Sequence, residues 1–564
     1  MYKIKYVLLG IAAAVSAGCA DLNYNEASNR DEDWTYNSPV NGVKALVYDV
    51  YAQMPSEFKD NTYGNGALIA SATDESEFAL SYSPIHNYSN GGWTPSNPFQ
   101  TTWDRSYRAI TQVHMYLERI QKIDLSDYEY DPDYQTMVQQ FEIFPYELRF
   151  LRAYFYFELV RAYGDVPLVT TTLTNAQANS VERTPAKDVF QFIINELDAV
   201  SEYLPVSYND VPGQEIGRAT RGAALALKAR ALLYQASPLF NADNDKDLWK
   251  EAAAACKVII DNASLWGYRF SEYAALWGHE TFTNPEFIFV LGTQASNSFE
   301  KFNYPVGVEN GNSGNCPTQA LVDAYEYQSD GKTFKEKHPG NVNVTAENPY
   351  EGLDPRFGLT VVKNGDLWPS NTTQQTAIET YHGGFNGAPK YGATPTGYYL
   401  KKFVDGNCVT TANNQTTTRH NWIVIRLAEV YLNYAEAMFN YYGDADAKGD
   451  FGMSANEAIN VLRNRPDIMM PEFHGNDGFE GRYMRERMVE LAFEGQRFWD
   501  VRRWKKGAEF FMNIEEADFK LDGNGDLILN RVTKTRKWDE KYNLYPIPQS
   551  EIQKNGNLTQ NPNW

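Results

Sequence analysis

The chain is short of the residues on which most metal, redox and nucleic-acid chemistry depends. Its 564 residues include four cysteines, Cys19, Cys256, Cys316 and Cys408, with no CxxC and no Cys/His cluster, so nothing points to a zinc site or a redox pair. His114 has no second metal ligand at a suitable spacing, and core packing is its expected role. No metal and no cofactor are expected. Basic residues are outnumbered: 51 Lys and Arg stand against 72 Asp and Glu, a formal charge of −21. Nucleic acid and anionic bilayers select basic surfaces, so neither is an expected main partner. Acidity itself selects no ligand and suits the solubility of an exposed protein.

Catalytic signatures are missing as well. There is no HExxH, no GxxxxGK[ST], no GxGxxG after a strand and no GxSxG. Asp522-Gly523-Asn524-Gly525-Asp526 imitates the start of a calcium loop, but Leu527 replaces the turn glycine and Thr533 the closing acid, so a hairpin turn is expected. With 72 acids, carboxylate pairs are unavoidable, and spacing alone does not show which two would flank a glycosidic bond. The reading is of a non-enzyme.

Beyond the N-terminus no apolar run reaches the roughly eighteen residues of a spanning helix. At the N-terminus, Lys3 and Lys5 precede an apolar run from Tyr6 to Val15, followed by Ser16-Ala17-Gly18-Cys19. This reads as a secretory signal over residues 1–18. The small residues before Cys19 resemble a lipobox, with Ser16 where leucine is usual, and make Cys19 the expected lipidation site; the alternative is an ordinary signal with an incidental cysteine. Acyl chains hold at about 0.8 kcal/mol per buried methylene, and several of them give stable anchoring. Residues 19–33 then form a polar tether. With Cys19 acylated, three cysteines remain, which excludes a fully paired set.

Aromatics are plentiful: 12 Trp, 38 Tyr and 30 Phe, flat side chains suited to packing helices or to stacking on sugar rings. Much of the chain has helical periodicity. Val43, Val47, Val50 and Tyr51 share a face, as do Trp103, Tyr107, Ile110, His114 and Leu117. Tyr146 to Gly164 is a strong helix closed by Gly164 and Pro167, and Thr184-Pro185 opens another. Thr220 to Ala236 and Leu248 to Asn262 form an Ala-rich pair; Trp422 to Asn440 and Ser454 to Arg465 form a second, opened by a capping box of Ser454 and Glu457. The pairs look like degenerate tetratricopeptide hairpins. Residues 282–418 are instead rich in Gly, Asn, Pro and Tyr, with a strand at Phe287 to Leu291, and read as loops and short strands mounted on the helices. The expected fold is mainly α, a single domain over residues 34–564.

The stretch GRYMRERMVELAFEGQRFWDVRRWKK, from Gly481 to Lys506, reads as one helix, with Met484, Met488, Leu491, Gly495 and Phe498 on an apolar face and Glu490, Glu494 and Arg497 on a salt-laced outer face. Its order of residues resembles the C-terminal signature of the SusD/RagB family of outer-membrane nutrient-binding lipoproteins. ELRFLRAYFYFELVRAYGDVPLV, Asp354-Pro355-Arg356, Gly397 to Phe403 and the closing Tyr545-Pro546-Ile547-Pro548 through Asn561-Pro562 resemble further family motifs. The resemblance runs from Cys19 to Trp564. It implies a scaffold of tetratricopeptide-like repeats, an oligosaccharide ligand, attachment to the outer membrane through lipid facing the exterior, and a SusC/RagA-like TonB-dependent transporter as partner. It also implies a pocket on the loops. Asp74 in an ATDE segment, Trp93 in the loop before Trp103, and Asn315 and Cys316 before Pro317-Thr318 match family positions; Tyr304, Trp368 and Tyr391 are loop aromatics without a fixed motif. For each of these, ligand contact and ordinary packing are both open. Capture of oligopeptides and surface glycoside hydrolysis are the alternative functions.

Overall fold

The computed structural model describes residues 43–58, 66–98, 102–209, 217–277, 283–368, 375–411 and 413–564. The signal, Cys19 and the tether lie outside the described residues.

Amphipathic helices pack in chain order. They are α1 (Lys44–Tyr51), α2 (Thr102–Ile120), α3 (Tyr134–Tyr163), α4 (Ala186–Ser201), α5 (Arg221–Ala236), α6 (Lys246–Asn262), α7 (Leu427–Tyr442) and α8 (Ala455–Arg463). From α2 onward each packs on the next, so the scaffold is a stack of antiparallel hairpins. Small side chains explain the tight fit of α5: Gly222, Ala223, Ala226 and Ala229 are buried and let neighbouring axes approach. The ends are marked chemically. Thr220 accepts from the Ala223 N–H, Ser454 and Glu457 form the expected capping box, and Gly164 and Gly443 close α3 and α7 with positive φ. At α4 the expected cap is absent: Pro185 holds the capping position without a side-chain bond, and Thr184 instead pairs its backbone with Val166.

The stack is interrupted in sequence but not in space. α6 packs directly on α7, although residues 263–426 lie between them. Arg230 of α5 clamps Glu429 of α7 across this junction, at 2.7 Å from Nε and 2.5 Å from Nη2, and both side chains are buried. The inserted segment and the C-terminal region form small antiparallel sheets: β1 (Ser76–Phe78) with β3 (Asn315–Pro317), β2 (Phe287–Gly292) with β7 (Asn421–Arg426), β5 (Val361–Val362) with β6 (Tyr399–Leu400), and β4 (Val342–Asn343), β9 (Leu527–Thr535) and β8 (Asn513–Leu521) in that spatial order. The turn between β8 and β9 is the hairpin expected of Asp522–Asp526, with Gly525 at φ +89°.

Two helix expectations are corrected. The segment from Trp422 begins as strand β7, because Trp-Ile-Val-Ile is a buried β-branched run facing β2; the helix starts only at Leu427. The signature is two helices, α9 (Phe479–Glu490) and α10 (Gln496–Arg503), broken where Phe493 and Gly495 take φ of +62° and +75°. Its charges do not line an outer face either. Glu486, Arg487, Glu490, Glu494, Arg497, Asp500, Arg502 and Arg503 are all buried.

Candidate functional site

The signature's charges form an interior network joining the repeats to the inserted loops. Arg426 donates from Nη1 to Glu286 (2.8 Å) and Glu490 (2.7 Å), and from Nε to Glu494 (2.8 Å). Arg356 reaches Asp354, Glu486 and Glu490 at 2.6–2.8 Å, and Lys402 reaches Glu494 at 2.9 Å. Burial alone would raise the Glu490 carboxyl; Arg465, Arg426 and Arg356 outweigh it and hold the group far below the ordinary range. Burial pulls Lys402 down to about 8 against the pull of Glu494. Each charge here faces a partner, so the network fixes architecture.

Most of the residues expected to touch ligand are also internal. Asp74 forms a two-pronged pair with Arg497, at 2.9 and 2.6 Å, tying the segment before β1 to α10. Trp93 is 2 % exposed, enclosed by Tyr88, Tyr542, Tyr545 and Trp564 with ring centroids 4.7–5.8 Å away. The Asn315 side chain accepts from the Leu68 N–H at 2.8 Å and donates to the Gly66 carbonyl at 2.9 Å and Asn303 at 2.8 Å. Tyr304, Cys316 and Trp368 pack together with Ile378, Tyr399 and Cys408 in a small apolar cluster. Burial raises the Cys316 thiol to about 12, making it an inert packing group. All six are buried in this structure, where packing or protein partners surround them. They are what the loops rest on. Tyr391 is different, standing 79 % exposed.

Above the Tyr304–Cys316–Trp368 cluster, three segments converge. The 379–393 loop is clipped to itself, with the Phe385 N–H donating to the Glu379 carboxylate at 2.9 Å and the Asn386 N–H to the Glu379 carbonyl at 3.0 Å. Asn386 donates from its side chain to the Val306 carbonyl at 2.7 Å, fixing this loop to the 304–314 loop. A Cβ at Gly307 would lie 2.9 Å from the Phe385 ring, so only glycine permits that approach. Gly392 sits beside Leu80, at the turn that carries Tyr82. Tyr82, Phe385 and Tyr391 are 62 %, 55 % and 79 % exposed. Lys390 lies 4.0 Å over the Phe385 ring and donates to its carbonyl at 2.6 Å. Flat rings held on a braced loop, with the exposed Lys390 beside them, can stack on apolar ring faces while the ammonium meets hydroxyls. Sequence reading missed Phe385 and Tyr82; their exposure depends on which of the chain's many aromatics fill the core.

Family comparison agrees with this architecture at both ends. Residues 285–564 match the SusD family model, and residues 24–233 match a model described as starch-binding associating with outer membrane. SusD-like protein P2 of Formosa agariphila is 25 % identical over 437 residues, covering 73 % of this chain and 72 % of that protein. A SusD-like protein from Bacteroides fragilis superposes with a TM-score of 0.77 at 26 % identity, covering 95 % of this chain and 99 % of its own. A laminarin-binding SusD-like protein shares the fold with a TM-score of 0.63 at 21 % identity, covering 95 % and 100 %. Among the described residues no helix is long and apolar enough to cross a membrane. With its helical stack, interrupted after α6 and braced by the buried signature charges, this chain belongs to the SusD/RagB family.

Proposed function

We propose that this protein captures oligosaccharides at the cell surface and passes them, chemically intact, to a SusC/RagA-like TonB-dependent transporter in the outer membrane, to which it is held by lipid on Cys19. The observation that carries the reading is the exposure of Phe385 and Tyr391 on one internally clipped loop, beside the turn bearing Tyr82. Exposed aromatics on a rigid loop lose little entropy on stacking, so they suit repeated capture and release. One or two stacked rings, each at about 0.5–1.5 kcal/mol beyond area burial, correspond to micromolar affinity.

A glycan array probed with the soluble protein tests this directly. Binding to one glycan class, with no release of reducing ends, is the expected result. Binding only to peptides, or turnover of a glycan, would overturn it. Co-purification of the full-length chain with a barrel transporter tests the delivery step.

A further inference from the structure

A cleft of about 710 Å³ opens between the C-terminal end of α1, the last residues of β2 and a short helix, Ser298–Asn303. That is within the roughly 300–1,000 Å³ of small-molecule sites. Three aromatic rings line it from three segments: Tyr48 of α1, Phe58 of the turn that follows, and Phe302 of the short helix. All three are half-buried, so part of each ring stays open. Their placement is fixed from behind. Phe58 meets Phe299, Phe403, His420 and Trp422 with ring centroids 4.9–5.5 Å away. Gly66 has φ +79°, and a Cβ there would lie 2.6 Å from Phe302, so only glycine lets the chain pass against that side chain.

The polar groups that share the cleft are within reach of a ligand. Gln294 and Ser298 both line it and both are exposed. Among the described residues the Gln294 amide makes no hydrogen bond. The Ser298 hydroxyl meets that of Ser296 at 3.0 Å and keeps capacity for a second partner. Charge is scarce in the wall. Glu57 is the one charged residue among the described lining, and it is committed, accepting from the Ile69 N–H at 2.7 Å. The other charged residues of the two helices, Lys44, Asp49, Glu300 and Lys301, lie outside the wall and are two of each sign. The lining therefore selects no ion. It suits a molecule with flat C–H faces and hydroxyls at its edges, which is an uncharged sugar chain.

We infer that this cleft is a second saccharide site, binding a neutral oligosaccharide with its C–H faces on Tyr48, Phe58 and Phe302 and its hydroxyls on Gln294 and Ser298. The inference rests on the saccharide reading above and adds a site that shares no residue with the Phe385–Tyr391 face. That loop meets a glycan from one side; the cleft meets it from three segments at once.

The test is a titration of methyl-labelled protein with maltohexaose, cellohexaose, laminarihexaose and xylohexaose, observing the Ala52 and Leu291 methyls in the cleft wall. It is run on the wild type and on a Phe385→Ala/Tyr391→Ala variant, which keeps the cleft. At least one glycan should shift both methyls saturably in both proteins, with Kd on the order of 0.1–1 mM for a few stacking and hydrogen-bonding contacts. Gln294→Ala removes an exposed amide without an internal partner, so Tm should hold while that Kd rises about threefold to tenfold. Ala52→Trp sets a large ring at the exposed end of α1 and should abolish the Leu291 shift by filling the cleft. Silence of both methyls with every glycan, or an unchanged Kd in either variant, overturns the inference. So do shifts that disappear in the Phe385→Ala/Tyr391→Ala protein, which would report the loop face alone. If the wild type binds an arrayed glycan while these methyls stay silent, the cleft fails and the capture function stands. If no glycan binds anywhere, both fail together.

Discussion

Arg426 holds Glu494 with two parallel contacts, Nε to Oε2 at 2.8 Å and Nη2 to Oε1 at 2.9 Å, although 68 residues separate them. The same guanidinium reaches Glu286 and Glu490, so one side chain bridges three buried carboxylates from the insertion and the signature. Arg426→Met therefore removes the cation shared by three buried acids, leaving only Arg356, Arg465 and Lys402 to balance them. A loss of about 3–5 kcal/mol is expected. Arg426→Lys should recover little of it, since an ammonium cannot reproduce the fork. Chemical denaturation of the variants gives both values.

The signature network also sets the acid limit. Burial would raise Glu486, Glu490, Glu494 and Asp500, but the surrounding cations hold all four below their ordinary values. Groups with depressed folded pKa stabilise above the unfolded value, near 4.5 for Glu, and lose that contribution as pH falls through the folded one. Unfolding free energy should drop steadily below about pH 4.5. Glu490→Gln should be less stable than the wild type at pH 7, with the gap narrowing toward pH 3. Denaturant midpoints across this range decide it.

The helical stack was legible because its signals are local. Periodicity, the Ser454–Glu457 capping box and closing glycines each lie within one turn, and α2, α5, α6 and α8 follow from them, as does α3 from Tyr146 on, although it starts at Tyr134 and runs through Pro145. The errors came where long-range partners decide. Trp422 to Arg426 has helical neighbours, yet pairing with Phe287 to Gly292 makes it a strand. Glu490 and Glu494 look like surface charges until Arg356, Arg426, Arg465 and Lys402 arrive from distant segments. The site was read less well for the same reason. The resemblance pointed to the loops; of the residues named there, Tyr304, Cys316 and Trp368 gather in one place, beneath the surface. Whether a tyrosine packs or points outward depends on its neighbours in space.

Trp93 and Tyr391 separate these two roles experimentally. Trp93→Ala empties a site enclosed by four aromatic rings and should cost about 3–5 kcal/mol, lowering Tm. Tyr391→Ala alters an exposed side chain and should leave Tm within error. Its glycan affinity should fall about twofold to tenfold, the equivalent of one stacking contact. Calorimetry with the glycan identified on the array, together with thermal melts, measures both. A Tyr391→Ala protein with full affinity would remove that residue from the binding face.

Glu516 gives a pH response opposite to that of the signature acids. Burial raises its carboxyl to about 7, with Glu77 adding to the rise and Lys534 and Arg536 opposing it. The folded protein therefore holds this proton more tightly than the unfolded chain. The group's contribution is greatest below the unfolded value, near 4.5, and is lost as pH rises through 7. At about 1.36 kcal/mol per pKa unit the whole span amounts to about 3 kcal/mol. Glu516→Gln fixes the neutral form, so it should match the wild type near pH 4 and exceed it by about that amount at pH 8. Equal stability of the two proteins at pH 8 would mean that the wild-type carboxyl ionises without penalty, and that Glu516 is better solvated than its burial implies.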